Sequence, residues 1–177
     1  VLGGGDTAMD CVRTAVRQKA KNVICIYRRD QENMPGSIRE IKHAMEEGVD
    51  FLFNTQPLKV EGNGSITSLK VCETKLGEPD ATGRQRPELI EGSEKAIEVD
   101  KLVIAFGYQA DVPDFVLDKN VKISDTGLVE LNNNKFNYQT SNPKYFAGGD
   151  MIIGSSLAVH AIAHGRDAAK EIIKFLG

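Results

Sequence analysis

The sequence lacks the features of several classes of protein. Tryptophan is absent, and aromatic residues make up only 6% of the 177 residues. No apolar run approaches the roughly 20 residues that are needed to span a bilayer. The net charge of −3 gives no reason to expect nucleic acid or an anionic membrane surface as a partner. We therefore expect no nucleic-acid partner and no membrane partner.

Cysteine is also scarce, and histidine is scattered. Cys11, Cys25 and Cys72 are far apart and form no C-x-x-C pair, which argues against an iron–sulfur or zinc site in the chain. We expect them to be small buried groups in a cytoplasmic protein. His160 and His164 lie one helical turn apart, but no third ligand follows the H-E-x-x-H spacing. We predict no metal site and no residue set for covalent or acid–base catalysis.

Residues 1–12 organise the rest of the chain. The apolar residues Val1 and Leu2 precede three glycines. The pattern Gly3-x-Gly5-x-x-Ala8 has the spacing of the dinucleotide-binding fingerprint. Gly3 would make the tight turn out of a strand, Gly5 would let the backbone approach a pyrophosphate, and Ala8 would allow close helix packing. The helix N-terminus would then offer N–H groups to the phosphates. The alternative for such a glycine cluster is a plain turn.

A βαβ pattern surrounds this fingerprint. Apolar residues between 8 and 16 fall on one face of a helix. Residues 23–27 are continuously apolar, as expected of a parallel strand that is covered on both faces. The strand stub, glycine turn, helix and second strand supply the context that the fingerprint requires.

The end of the second strand indicates which nucleotide binds. NAD sites usually place Asp or Glu there, but this strand ends in Tyr27-Arg28-Arg29, and Asp30 comes one or two residues too late. Two guanidinium groups suit a 2′-phosphate, so Arg28 and Arg29 favour NADP(H) over NAD(H). The alternative is that both are solvated surface charges.

The next segments complete a first domain. Residues 30–36 form a polar loop, which either lines the nucleotide site or only connects two elements. An S-x-x-E capping box follows at 37–40 and begins a helix that ends at Gly48. We expect Ile38, Ile41, Ala44 and Met45 to face inward. The following segments predict an antiparallel meander that covers one face of the parallel sheet. It would consist of a hairpin at 58–71, a long exposed loop over 75–95 and a returning strand at 96–99.

Residues 101–107 predict another buried strand. Ala105 and Gly107 would lie at its carboxyl end, where a small residue and a glycine suit the close passage of a dinucleotide.

The last third of the chain has a different pattern. Residues 121–131 predict a hairpin, 132–134 a turn, and 145–150 a strand that stops at Gly149-Asp150. A long helical spacing follows from Leu157, in a helix that we expect to begin near Ser155. Gly165 is expected to pack closely against another backbone. Asp150 and the helix N-terminus could hold hydroxyls and the negative charge of a reduced flavin. The alternative for Asp150 is an ordinary loop residue or helix cap.

Taken together, these segments resemble one family of flavoproteins. Their order is that of the glutamate synthase small (β) subunit and its relatives, which include NADPH-dependent ferredoxin oxidoreductase large subunits and a region of dihydropyrimidine dehydrogenase. The matching segments are residues 3–10, Tyr27-Arg28-Arg29, Met34-Pro35-Gly36, Ala105-Phe106-Gly107 and Phe146-Ala147-Gly148-Gly149-Asp150.

The resemblance implies an activity and a role for each matching residue. NADPH would give a hydride to FAD, and electrons would pass through iron–sulfur clusters to a larger subunit that reduces the imine formed from 2-oxoglutarate and glutamine-derived ammonia. The implied cofactor contacts are Gly3, Gly5, Asp6 and Thr7 for the NADPH pyrophosphate, Arg28 and Arg29 for its 2′-phosphate, Gly149 and Asp150 for FAD, and Leu157 and Ala158 for the flavin ring.

The sequence departs from this family at its start. Only two residues precede the glycines, and the cysteine-rich segment that would hold the clusters and the βαβ unit that grips the ADP half of FAD do not occur. We therefore expect a piece of a longer α/β protein, with a Rossmann-like NADPH-binding domain at 1–107 and the closing part of an FAD-binding domain at 108–177.

Alone, this piece should neither bind FAD tightly nor oxidise NADPH. Its partner would be the larger glutamate synthase subunit or another electron acceptor, and an uncovered apolar face could also produce a homodimer. The competing hypothesis is a non-catalytic NADP(H)-binding or redox-sensing module.

Overall fold

The computed structural model describes residues 1–81, 83, 85–132 and 135–177. The chain forms two compact units, Val1–Gly107 and Tyr108–Gly177, and each has its own buried core. The prediction that they bind NADPH and FAD respectively stays a prediction.

Among its described residues, the first unit contains two helices and six strands. In chain order they are α1 (Asp6–Arg17), β1 (Ile24–Ile26), α2 (Ile38–Glu46), β2 (Asp50–Leu52), β3 (Thr55–Gly62), β4 (Ile66–Pro79), β5 (Gln85–Leu89) and β6 (Lys95–Glu98).

A small parallel sheet forms the centre of this unit. Strands β1 and β2 pair in parallel, and Leu2 pairs in parallel with Ile26 on one side and Ile104 on the other. Helix α1 connects Leu2 to β1, which confirms the predicted βαβ unit. Met9 and Val12 of α1 are fully buried against Cys25 of β1, because the apolar residues of the helix recur on one face.

The second sheet is antiparallel and covers one face of the first. Strand β4 pairs with β3, β5 and β6. Leu69 and Val71 of β4 are buried with Leu2 and Ile26 of the parallel sheet, which confirms the predicted meander and its place.

The expected long loop over 75–95 is wrong. Strand β4 continues to Pro79 and β5 pairs with it, so that Thr74 lies opposite Leu89 and Lys75 opposite Glu88. This hairpin is mostly exposed, so its sequence carries no apolar alternation to reveal it. Thr82 and Arg84, also within the predicted loop, lie outside the described residues.

Helix α2 differs in part from its prediction. Ser37 is the N-cap, but its side chain makes no capping hydrogen bond, and Ile38 is 86% exposed. Ile41 and Ala44 are buried as expected, but Met45, which was also expected to face inward, is 37% exposed. Gly48 ends the helix with φ +90°, while its N–H donates to Met45 and that of Val49 donates to Ala44, as in a Schellman motif.

The predicted buried strand at 101–107 is only partly correct. Leu2 donates to the carbonyl of Val103 and accepts from the N–H of Ala105, both at 2.8 Å. Ala105 is buried, but Ile104 and Phe106 are 66% and 67% exposed. The apolar run therefore predicted the parallel pairing correctly and the burial incorrectly.

The second unit contains the helices α3 (Asp114–Leu117), α4 (Asp150–Ile153) and α5 (Ala158–Leu176). Short antiparallel pairs join Ile123 to Val129 and Gln139 to Phe146. Of the strand predicted at 145–150, only Phe146 forms a β-bridge within the described residues, and Asp150 already belongs to α4. Asn133 and Asn134 of the predicted turn lie outside the described residues.

Two expectations about the last helix need correction. A short helix, α4, separates Asp150 from α5, which begins at Ala158 rather than near residue 155. A Cβ added at Gly165 would meet nothing within 4 Å, whereas one at Gly148 would lie 2.9 Å from the Cβ of His164. The close backbone packing is therefore at Gly148, not at Gly165.

Across the described ranges, no helix combines the length and the apolar character that crossing a membrane requires.

Candidate functional site

The glycine turn lies at the carboxyl end of the central parallel pair. The N–H of Gly3 donates to the carbonyl of Ile26 at 3.0 Å. Gly3 has φ +139°, and a Cβ added there would collide with the carbonyl oxygen of Ala105. Only glycine fits this position, and the close approach brings Gly3 and Ala105 together as two predicted site residues. Gly107 is exposed, with φ +92°.

Gly5 and the first turn of α1 form an open, donor-rich surface. Gly5 is the N-cap, and a Cβ added there would meet no atom within 4 Å. Its carbonyl accepts the N–H groups of Ala8 and Met9 at 2.9 and 3.2 Å. The N–H groups of Asp6 and Thr7 lie in the first helical turn, where no intrahelical acceptor exists, and the helix dipole makes this end positive.

The carboxylate of Asp6 has a specific partner. Its Oδ1 accepts the N–H of Ser37 at 2.7 Å, at the start of α2. Only the backbone N–H of Asp6 can therefore make the predicted contact with a pyrophosphate. The side chain is already hydrogen-bonded to Ser37, and its negative charge would repel the phosphates. Sequence reasoning did not find this role for the side chain.

The loop over 30–37 packs against the glycine turn. The N–H of Gly36 donates to the carbonyl of Gly4 at 3.0 Å, and a Cβ added at Gly4 would lie 2.6 Å from the ring of Tyr27. The loop is thus in contact with the candidate site.

Arg28 and Arg29 follow β1 at the same edge of the sheet but differ in their surroundings. Arg28 is exposed, and its side chain makes no hydrogen bond or ion pair to any residue that the structure describes. Arg29 is half-buried; its Nε donates to the hydroxyl of Tyr27 and its Nη1 to Oδ1 of Asn33.

The antiparallel sheet holds the backbone of this arginine pair. The buried hydroxyl of Thr74 on β4 donates to the carbonyl of Arg28 at 2.9 Å. The N–H of Asn54 donates to the carbonyl of Arg29, also at 2.9 Å. The sequence offered no signal for these contacts, because Thr74 lies 46 residues from Arg28.

Two ionisable groups of the first unit, Cys25 and Glu47, have structural roles. Burial raises the pKa of the Cys25 thiol to about 11, and this neutral thiol lies 3.4 Å from the carbonyl of Gly3 as a donor. Hydrogen bonds from Arg13 and Arg17 lower the pKa of Glu47 to about 2. The same hydrogen bonds connect α1 to the end of α2.

A cleft of about 990 Å³ lies elsewhere in the first unit, beside Val1, Ile24, Ile66 and Leu102. Some of the residues that line the cleft precede β1, and others precede the residues that pair with Leu2 near Ile104. The cleft therefore lies at the amino ends of the parallel strands. Dinucleotides bind at the carboxyl ends, and the glycine turn and the arginine pair do not line the cleft.

In the second unit, Gly149 lies against α5. Gly149 has φ +69° and donates its N–H to Nδ1 of His164 at 3.0 Å. Asp150 is exposed and begins α4, while Leu157 is the exposed N-cap of α5 and Ala158 its exposed first residue. The sequence analysis considered His164 only as a metal ligand and did not predict this contact with Gly149.

Comparison with known proteins identifies the group to which this chain belongs. Residues 1–165 match the family described as pyridine nucleotide-disulphide oxidoreductase. The chain is 53% identical over 181 residues to the glutamate synthase [NADPH] small chain of Escherichia coli (strain K12), matching 99% of this chain and 38% of that protein. It is 38% identical to the NADP(+)-dependent formate dehydrogenase subunit beta of Moorella thermoacetica, over 99% of this chain and 24% of the other. The chain thus spans well under half of these relatives.

Solved structures share the fold. The crystal structure of T. acidophilum thioredoxin reductase superposes with a TM-score of 0.74 at 22% identity over 96% of this chain and 49% of the other. Mycobacterium tuberculosis FprA in complex with NADPH gives a TM-score of 0.73 at 13% identity, over 99% and 52%. The predicted α/β fold and the resemblance to glutamate synthase small subunits are confirmed, and the chain belongs to the pyridine nucleotide-disulphide oxidoreductase family.

Proposed function

We propose that this chain is the NADPH-binding part, together with the closing part of the FAD-binding domain, of a flavoprotein oxidoreductase similar to the glutamate synthase small subunit. When bound, NADPH supplies a hydride that FAD accepts. The observation that carries the proposal is the arginine pair beside an open glycine turn, at the carboxyl end of a parallel sheet.

The residues present fit a phosphorylated dinucleotide. The open space at Gly5 admits a pyrophosphate near the N–H groups of Asp6 and Thr7, while the exposed guanidinium of Arg28 is available to a 2′-phosphate. Ala105 and Gly107 leave room for the dinucleotide because neither has a bulky side chain.

The second unit supports a flavin contact. The exposed carboxylate of Asp150 is available to accept hydrogen bonds from ribityl hydroxyls, and the N–H of Gly149 is held by His164. Leu157 and Ala158 offer an exposed apolar surface at the start of α5 for a flavin ring.

The partner and the electron path are also proposals. The relative from E. coli is named a small chain, which supports a larger partner subunit as the electron acceptor. The cysteines of this chain are all free, and Cys25 and Cys72 are buried, so we place the iron–sulfur clusters outside residues 1–177 and the protein in the cytoplasm.

Calorimetric titration of the 177-residue chain with NADP⁺ and NAD⁺ tests the nucleotide site. We expect NADP⁺ to bind more tightly, and Arg28→Ala to weaken NADP⁺ about tenfold while leaving NAD⁺ unchanged, because a charge-assisted hydrogen bond is lost. Arg86→Ala, which removes an equally exposed arginine from β5, is the matched control. Equal affinity for the two nucleotides would contradict the proposal.

A second experiment separates an oxidoreductase from a non-catalytic NADP(H)-binding module, which the self-contained core of the first unit also permits. A longer protein with residues restored before Val1 should carry flavin and reduce a dye with NADPH. Nucleotide binding without flavin or dye reduction would favour the binding module. Stoichiometric flavin absorbance in the purified 177-residue chain would refute the expectation that this piece does not hold FAD tightly.

A further inference from the structure

We propose that Asp30 and Asn33 are positioning residues that orient the guanidinium of Arg29 toward the 2′-phosphate of the nucleotide. Arg28, the other member of the pair, has no side-chain hydrogen bond to a described residue. This inference rests on the proposed function, and it concerns residues that the arginine motif does not include.

The guanidinium of Arg29 is held on two sides. Nε donates to the hydroxyl of Tyr27 at 3.0 Å and Nη1 donates to Oδ1 of Asn33 at 3.2 Å. The group also lies 5.7 Å from the centre of the Tyr27 ring, within the range of a cation–π contact. The buried ring of Tyr27 is fixed in turn, because its hydroxyl donates to the carbonyl of Asn33 at 2.7 Å.

Asp30 fixes the amide of Asn33. Its Oδ1 accepts the backbone N–H of Asn33 at 2.9 Å and the side-chain N–H of the same residue at 2.8 Å. Since Nδ2 faces the carboxylate, Oδ1 is left to accept from Arg29. The opposite amide orientation would place an NH₂ group against the guanidinium and an oxygen against the carboxylate, so the network allows only one arrangement.

This arrangement keeps Arg29 available to a phosphate. A neutral amide stands between the carboxylate of Asp30 and the guanidinium, so the carboxylate makes no direct ion pair with Arg29. A guanidinium has five N–H donors, and two are used here, which leaves three for a phosphate. Because the side chain is already oriented, less conformational entropy is lost when the phosphate binds.

Two nucleotides that differ only in the 2′-phosphate isolate this effect. We would titrate the 177-residue chain with 2′,5′-ADP and with 5′-AMP by calorimetry, using Asn33→Ala and Tyr27→Phe. Each substitution removes an acceptor from Arg29, and Tyr27→Phe keeps the buried ring, so it decides the question if Asn33→Ala does not fold. We expect each to weaken 2′,5′-ADP by about three- to tenfold and to leave 5′-AMP unchanged.

Controls separate this role from a structural one. Asn63→Ala, in the exposed turn between β3 and β4, should change neither affinity. Asn33→Asp should weaken 2′,5′-ADP more than Asn33→Ala, because it places a charge beside the phosphate. Parallel weakening of both nucleotides, or weakening of neither, would overturn the proposal. A wild-type chain that does not distinguish the two nucleotides would instead overturn the proposed function.

Discussion

Replacing Thr74 with valine tests how the antiparallel sheet supports the arginine pair. The Thr74 hydroxyl is the described donor to the carbonyl of Arg28, at 2.9 Å, and Thr74 is only 4% exposed. Valine has nearly the same shape but cannot donate, so the substitution leaves the carbonyl without this partner. An unsatisfied buried group costs about 1–3 kcal/mol. Because Arg28 itself is exposed, we expect the lower end, about 1 kcal/mol.

Differential scanning calorimetry measures this loss. For a unit of this size, 1 kcal/mol corresponds to a shift of about 4 °C in Tm, and we expect a smaller preference for NADP⁺ over NAD⁺ as the backbone at Arg28 loosens. Thr67→Val on the same strand is the matched control, since its exposed hydroxyl donates to the carbonyl of Glu61 at 3.3 Å. If Thr74→Val were as stable as Thr67→Val and kept its nucleotide preference, the hydroxyl would not hold the arginine pair.

Three further results are expected. In thermal unfolding, Gly3→Ala should destabilise the first unit by more than about 2 kcal/mol, because the added Cβ collides with the Ala105 carbonyl and the φ of Gly3 is +139°. Gly5→Ala places its Cβ in open space, so it should keep the Tm of the wild-type chain but lose affinity for NADP⁺ in calorimetry. The folded-state pKa of Glu47 is about 2, below its ordinary value of 4.5, so its stabilising effect is present above pH 4.5 and is lost as the pH falls toward 2. The Tm of the wild-type chain should therefore fall more steeply between pH 4.5 and pH 2 than the Tm of Glu47→Gln. Equal slopes for the two proteins would contradict this expectation. His164→Leu should lower the Tm of the second unit by about 4 °C or more, because the N–H of Gly149 loses its acceptor, while His160→Leu, at an exposed position, should not.

The elements that could be predicted from the sequence are those with a local cause. The apolar spacing of α1 and the continuous run around β1 identified the βαβ unit, because one side of each element is buried in the same core. Gly48 was recognised as a helix end because a left-handed residue is needed there.

The contacts that could not be predicted join residues far apart in the chain. Thr74 reaches Arg28, and Asp6 reaches Ser37, across 46 and 31 residues. Neither contact has a periodic pattern, since a single hydroxyl or carboxylate looks the same in a sequence whether it is solvated or bonded. The Asp30–Asn33 contact is closer in sequence, but its effect on Arg29 depends on where the Tyr27 ring lies.

Apolar sequence also predicts burial less well than it predicts pairing. Ile38, Ile104 and Phe106 were expected inside and are exposed. Ile38 nevertheless lies in a helix that forms as predicted, and Ile104 pairs with Leu2. Backbone hydrogen bonding and helical propensity are local, whereas burial requires another part of the protein to cover the residue.

The three adjacent glycines show the limit of a motif most clearly. A Cβ at Gly3 would meet a backbone carbonyl, one at Gly4 would meet the Tyr27 ring, and one at Gly5 would meet nothing within 4 Å. The first two are therefore required by the fold, and only the third is unexplained by contacts within the first unit. An open glycine at the positive end of a helix therefore supports the proposed nucleotide site, in which the phosphates would approach the backbone at Gly5.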